Sequence, residues 1–269
     1  MTEIKLDAKT TPKRLILSLL SSPGFKDVSV NYLIEWGKIF DIDPPTTRVA
    51  VGRLAKQGLI TSVSRGNYII GPNAESVAKT ARSWIDAEDK VGPWSGQWIV
   101  AHTAHLGRTN KTAVRARERS FRLNGFACAP PGLWCRPANF KESLLQTQER
   151  LTSMGLEPQA VFMNCDTFSG IELDALYPLW PTKRIESEYR QVIQKMIASR
   201  VSAQRLNIND AVRETFTVGE SVIRQINADP LLPDEMINTE LRRELVEQMK
   251  EYNELGRVVW EQFHSELRS

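Results

Sequence analysis

Cysteine is scarce in this chain: three in 269 residues, an odd number in a long sequence. That argues against a disulfide framework and for a reducing compartment. Histidine is equally rare, with three. Mean hydropathy is −0.33, and no apolar run approaches the roughly 18 residues that a membrane-spanning helix needs. Residues 1–10 hold no apolar segment of the kind that marks a secretory leader. A cytoplasmic protein with no membrane partner is therefore expected. What is present is ordinary for a globular chain, with 41% hydrophobic and 25% charged residues, too apolar for a disordered polymer. The length allows two domains or three small ones.

Net charge is also small, +3 from 35 basic and 32 acidic side chains. Its distribution is not even. Residues 1–80 hold 11 basic and 7 acidic side chains, residues 81–170 hold 11 and 8, and residues 171–269 hold 13 and 17. The first two-thirds is basic and the last third acidic, which points to an anion, nucleic acid or a phosphorylated ligand, meeting the N-terminal part.

The first eighty residues read as three helices and a hairpin. Thr11-Pro12 is an N-cap followed by proline at the first helical position, with Leu15, Ile16, Leu19 and Leu20 on one face, and Ser21-Ser22-Pro23-Gly24 ends that helix. A second helix runs from Val30 to about Phe40, and after Asp41-Ile42-Asp43-Pro44-Pro45 a third runs to Gln57, closed by Gly58. Leu59–Val63 and Tyr68–Ile70 flank Ser64-Arg65-Gly66-Asn67, a hairpin pattern. Together these describe a winged helix-turn-helix.

On the third helix, Thr47, Ala50, Val51 and Leu54 have the spacing of a buried face. Thr46, Arg48, Val49, Gly52, Arg53 and Lys56 point away from it, a set suited to a DNA major groove. Arginine can chelate a guanine edge or hold a phosphate, valine can meet a thymine methyl, and glycine allows close approach. Thr47, at the start of the helix, is included among the candidate DNA contacts with them, as are Arg65 and Asn67 at the wing tip.

Residues 73–89 read as a linker helix. Beyond it, strand, helix, two short strands, helix and strand follow one another between Ile99 and Asp166, the β-α-β-β-α-β order of a ferredoxin-like domain. Arg115, Arg119 and Arg122 form a basic stripe with Arg108, suited to phosphates. Cys128 and Cys135 would face each other if Pro131-Gly132 is the hairpin turn, whereas His102 and His105 would point to opposite faces. The last hundred residues read as three amphipathic helices, 185–204, 211–228 and 239–267, preceded by an aromatic junction that contains Trp180. The expected organisation is thus α+β: a winged helix over 1–72, a linker over 73–92, a ferredoxin-like domain over 93–168 and a helical domain over 169–269.

A winged helix followed by Trp94, Gly96 and Trp98 in a Trp-x-Gly-x-Trp motif, a ferredoxin-like domain, and Asp229-Pro230-Leu231-Leu232-Pro233 before a last long helix resembles the phenylacetic-acid-degradation (PaaX-type) repressor family. Where that family usually continues into Trp-Pro-Gly, this chain has Met236-Ile237-Asn238-Thr239. The resemblance implies a homodimeric transcriptional repressor that binds a palindromic double-stranded DNA operator of a catabolic operon. It also implies release by a small-molecule effector, an aryl-CoA thioester such as phenylacetyl-CoA. Arg115, Arg119, Arg122 and Trp180 are the candidate effector residues. The family's middle domain is similar to a small CRISPR-associated nuclease with a metal-binding Asp at the end of its first strand. Here that strand ends at Thr103-Ala104-His105, without the hard oxygen ligand a divalent metal needs. Neither a cofactor nor a metal nor a catalytic residue is expected. The rival expectation is an enzyme acting on nucleic acid or on a CoA ester, but the sequence has no Ser/His/Asp set and no glycine-rich phosphate loop.

Overall fold

The computed structural model describes residues 10–22, 27–129 and 132–267. Local capping chemistry starts most of its helices. Thr11 accepts the Arg14 N–H at 3.3 Å and Pro12 opens α1 (Pro12–Ser21). Ser29, at the end of the short strand β1 (Val28–Ser29), accepts the Tyr32 N–H and starts α2 (Val30–Ile39). Asp43 does the same for α3 (Pro44–Lys56), and Gly58, with φ of +67°, supplies the left-handed residue just past its end. Strands β2 (Ile60–Ser64) and β3 (Asn67–Ile70) then form a hairpin. β1 joins it in an antiparallel sheet of order β1-β3-β2, with Val28 opposite Tyr68 and Ile60 opposite Ile70. Helix α4 (Glu75–Arg82) follows.

The second sheet is built from β4 (Trp98–His102), β5 (Ala127–Cys128), β6 (Leu133–Pro137) and β7 (Val161–Cys165), with α5 (Lys111–Leu123) between β4 and β5 and α6 (Leu144–Ser153) between β6 and β7. Its order is β5-β6-β4-β7 and every pair is antiparallel. Helix α6 begins later than its apolar pattern extends. Ser143 and Gln146 form a reciprocal capping box there, while Phe140 bridges to Val91. Three long helices complete the chain: α7 (Thr182–Ala203), α8 (Ile208–Asn227) and α9 (Thr239–Glu266). The protein is α+β. Among the described residues, no helix is long and apolar enough to cross a membrane.

Residue contacts divide the chain into two units that do not follow its order. The first holds residues 1–85, 192–227 and 246–269; the second holds 86–191 and 228–245. The last hundred residues, expected to form a helical domain of their own, are thus split, with α7 and α9 each divided between the units. The physical reason lies in the first unit's core. Trp36, fully buried, meets Phe40 just past the end of its own helix and Phe216, Trp260 and Phe263 from α8 and α9, its ring 5.2 Å from that of Trp260. Leu15, Leu33, Leu54, Val212 and Phe216 belong to one continuous apolar cluster. The three N-terminal helices alone do not cover that indole.

The second unit packs Phe121 and Leu151, from α5 and α6, against Ile99, Ala101 and Trp134 on one face of its sheet. The Asp-Pro-Leu-Leu-Pro stretch is clamped to this unit by buried polar groups. Arg136, fully buried with its guanidinium 3.6 Å from the Phe140 ring centre, donates to Asn139 Oδ1, and Asn139 donates to Leu231 O at 2.7 Å. Arg242 donates to Leu232 O and to Glu88, both at 2.7 Å. Tyr189 donates to the Asp229 carboxylate, whose other oxygen accepts the Leu231 N–H. Burial pushes the Asp229 carboxyl above the ordinary aspartate range.

Candidate nucleic-acid interface

The exposed face of α3 is the feature on which a functional reading turns. Its start is doubly tied: Asp43 accepts both the Thr46 N–H and the Thr46 hydroxyl, each at 2.8 Å. These bonds hold the Asp43 carboxyl below its usual range. The distance between α2 and α3 is set by Gly37. A Cβ there would come within 2.6 Å of Thr47 Oγ1, so only glycine permits this approach without displacement. Thr47, Val51 and Leu54 face the core.

Arg48, Val49, Gly52, Arg53 and Lys56 are all exposed, Val49 to 71%. Thr46 is exposed too, although its hydroxyl serves the cap. Thr47 is a correction to the candidate DNA contacts. It is 2% exposed, and its hydroxyl donates to Asp43 O at 3.3 Å; it fixes the helix and does not reach outward. A Cβ on Gly52 would meet nothing within 4 Å, so nothing inside the fold requires glycine at that position.

The hairpin continues this polar surface. Thr61, Ser62, Val63, Ser64 and Arg65 are exposed. A register shift falls between Ser62 and Ser64, and Gly66, with φ of +80°, makes the turn. Asn67 is half-buried and donates to Ser64 Oγ at 3.0 Å, so it stiffens the tip beside Arg65. Val30 N–H donates to Gly66 O at 2.8 Å, which anchors the hairpin to the start of α2.

No protein-family profile matches the sequence. No curated protein matches it. The fold is similar to that of an uncharacterized protein, Rv0674, from Mycobacterium tuberculosis, with a TM-score of 0.62 and 17% identity over 93% of this chain and 99% of that one. At that identity the likeness concerns the fold alone.

The candidate effector residues all lie in the second unit. Arg115, Arg119 and Arg122 are exposed on α5. Arg117, on the opposite side of the same helix, is buried and donates to Glu157 at 2.6 and 3.1 Å. Trp180 is corrected from ligand contact to core residue. It is 6% exposed, its indole N–H donates to Gly125 O at 3.0 Å, and its ring packs 6.0 Å from that of Trp98.

Two other expectations change. Cys128 is paired in register with Trp134, and Cys135 with Ala127, so the two cysteines are offset by one residue; Cys128 is exposed and Cys135 buried. A one-residue offset sends adjacent side chains to opposite faces of a sheet. Burial pushes the Cys135 thiol up to about 12. His102 and His105, expected to diverge, instead stack, with Nδ1 atoms 3.3 Å apart and His105 Nε2 3.0 Å from Gln159 O. The strand ends at His102, so its alternation does not extend to His105. Among the described residues, no group of three or more His, Cys, Asp and Glu side chains is placed to hold a metal ion.

What the sequence did not reveal is a cavity within the first unit, lined by α1, the end of α4, α8 and α9, with a volume of about 160 Å³. No local pattern in any of those stretches announces it.

Proposed function

We propose that this chain is a sequence-specific DNA-binding regulator of transcription, with α2 and α3 as the helix-turn-helix and the β2–β3 hairpin as its wing. One observation carries the reading: every basic residue of α3 is exposed, on the face opposite Thr47, Val51 and Leu54. Arg48, Val49, Gly52 and Arg53 would meet base edges and Lys56 and Arg65 the phosphates. The strand order of the second sheet, β5-β6-β4-β7 with helices after its first and third strands in chain order, supports reading the second unit as ferredoxin-like, in keeping with the resemblance to PaaX-type repressors. In this reading the protein acts as a homodimer on a palindromic operator, its two recognition helices in half-sites about one helical turn apart. A small-molecule effector relieves repression by binding better to the form that does not fit the operator.

The test uses duplexes tiled across the DNA upstream of the protein's own coding sequence, with a scrambled duplex as control. Wild-type protein is expected to prefer one tile, with affinity falling steeply as salt rises. Arg48→Ala should cost about 1–3 kcal/mol on the preferred tile and relax the preference. Unchanged affinity and preference in that variant would overturn the assignment of α3.

A further inference from the structure

Two of the chain's three histidines meet at the end of β4. His102 is the last residue of that strand, opposite Leu133 on one side and Val161 on the other. A tight turn, closed by the Leu106 N–H donating to Thr103 O at 3.1 Å, brings His105 back against it. The turn is also held from outside. Thr103 N–H donates to Gly132 O at 2.8 Å. Gly132, with φ of +84°, lies so close that a Cβ there would come within 2.8 Å of Ala104 Cβ. The backbone, and not only their mutual contact, sets the two imidazoles in place.

Their separation is that of two ligands on one ion. The Nδ1 atoms are 3.3 Å apart and the ring centres 5.2 Å. A tetrahedral metal with metal–nitrogen bonds of about 2.0–2.1 Å holds two nitrogens about 3.3–3.4 Å apart. Imidazoles aimed at such an ion have ring centres about 5.2 Å apart, because each nitrogen lies about 1.15 Å from the centre of its ring.

The proton positions suit ligation as well. A carbonyl oxygen only accepts, so His105 donates its Nε2–H to Gln159 O at 3.0 Å. In the neutral ring Nδ1 then keeps its lone pair, on the side that meets His102. Metal-ligating histidines are held in this way, with the other ring N–H given to a backbone carbonyl that fixes tautomer and orientation. His102 meets that lone pair through its own Nδ1–H. Ligation needs only that this proton move to Nε2, a tautomeric shift without change of charge. His102 is half-buried and His105 exposed, so an ion reaches the pair from solvent.

We propose that His102 Nδ1 and His105 Nδ1 together bind one divalent transition-metal ion of the class of Zn²⁺, Ni²⁺ and Cu²⁺, with water in the remaining positions. Imidazole suits these ions, whereas Mg²⁺ and Ca²⁺ take oxygen ligands that the pair does not offer. Two protein nitrogens make an open site, one that can exchange a bound water for another oxygen ligand. The site owes nothing to the regulatory reading of α3 and stands or falls apart from it.

Calorimetry on the full chain, free of any affinity tag, with zinc chloride and with magnesium chloride as control, is the test. One Zn²⁺ per chain is expected, bound at least about tenfold more weakly in His102→Gln and in His105→Gln, with no saturable uptake of Mg²⁺. Melting without metal reports that each variant is folded. Added Zn²⁺ should raise the melting temperature of wild type and of neither variant. Cysteine is the competing ligand, since Cys128 is exposed and Cys165 partly so. Co²⁺ separates the two. Visible d–d bands without thiolate-to-metal charge transfer in the near ultraviolet assign the ion to the imidazoles, whereas a thiolate band that survives in both histidine variants overturns the site. Absence of saturable Zn²⁺ binding by wild type, or equal binding by wild type and both variants, overturns it too.

Discussion

Arg117 and Arg136 show two ways in which the second unit accommodates a buried cation. Among the described residues Arg136 has no carboxylate hydrogen-bonded to it; it is held by Asn124 O, Pro137 O, Asn139 Oδ1 and Pro230 O and by the face of Phe140. Burial and the neighbouring Arg150 lower its pKa to about 9. Arg117 instead has a carboxylate partner, and its hydrogen bonds hold the Glu157 carboxyl below the usual 4.5. The folded state therefore binds that proton less tightly than the unfolded chain. The pair's contribution to stability is complete above 4.5, the unfolded value, and is lost as pH falls through the lower folded value. Melting temperatures measured across a series of acidic buffers should thus fall less steeply for Glu157→Gln than for wild type. Identical acid limbs would remove Glu157 from the groups responsible.

At the scale of elements, the helix pair α2–α3 depends on one missing side chain. Gly37→Ala places a methyl group 2.6 Å from Thr47 Oγ1, and relief requires α3 to move outward or Thr47 to leave its rotamer. Overpacking of this kind costs about 1–3 kcal/mol, and a urea midpoint shifted by that amount is the expected measurement. Because Thr47 also donates to Asp43 O at the start of α3, the same variant should lose affinity for the preferred duplex even after correction for the unfolded fraction. Both Gly37 and Thr47 were visible as residues. Their contact was not, since ten positions separate them and the turn between α2 and α3 brings them together.

At the scale of the whole molecule, the module that carries α3 is not a free-standing N-terminal domain. Its central indole, Trp36, is 0% exposed because Phe216, Trp260 and Phe263 cover it from positions beyond residue 200. Trp36→Ala should cost about 3–5 kcal/mol, read as a lowered denaturation midpoint. A fragment ending at residue 85 should show no cooperative thermal transition. A sharp transition in that fragment would show that the N-terminal helices form a sufficient core without α8 and α9.

The sequence by itself determined the elements and the exposed, basic side of α3, because caps, glycine stops and a 3.6-residue period are local signals that one stretch of chain carries alone. The order of strands and helices in the second unit was legible for the same reason. Contacts between distant segments were decided only in three dimensions. The division of α7 and α9 between two units, the burial of Trp180, the stacking of His102 on His105 and the one-residue offset of Cys128 and Cys135 all depend on such contacts or on where a strand ends. The cavity belongs to that second class most fully. Its wall comes from four stretches of the chain, which no local pattern in any one of them announces.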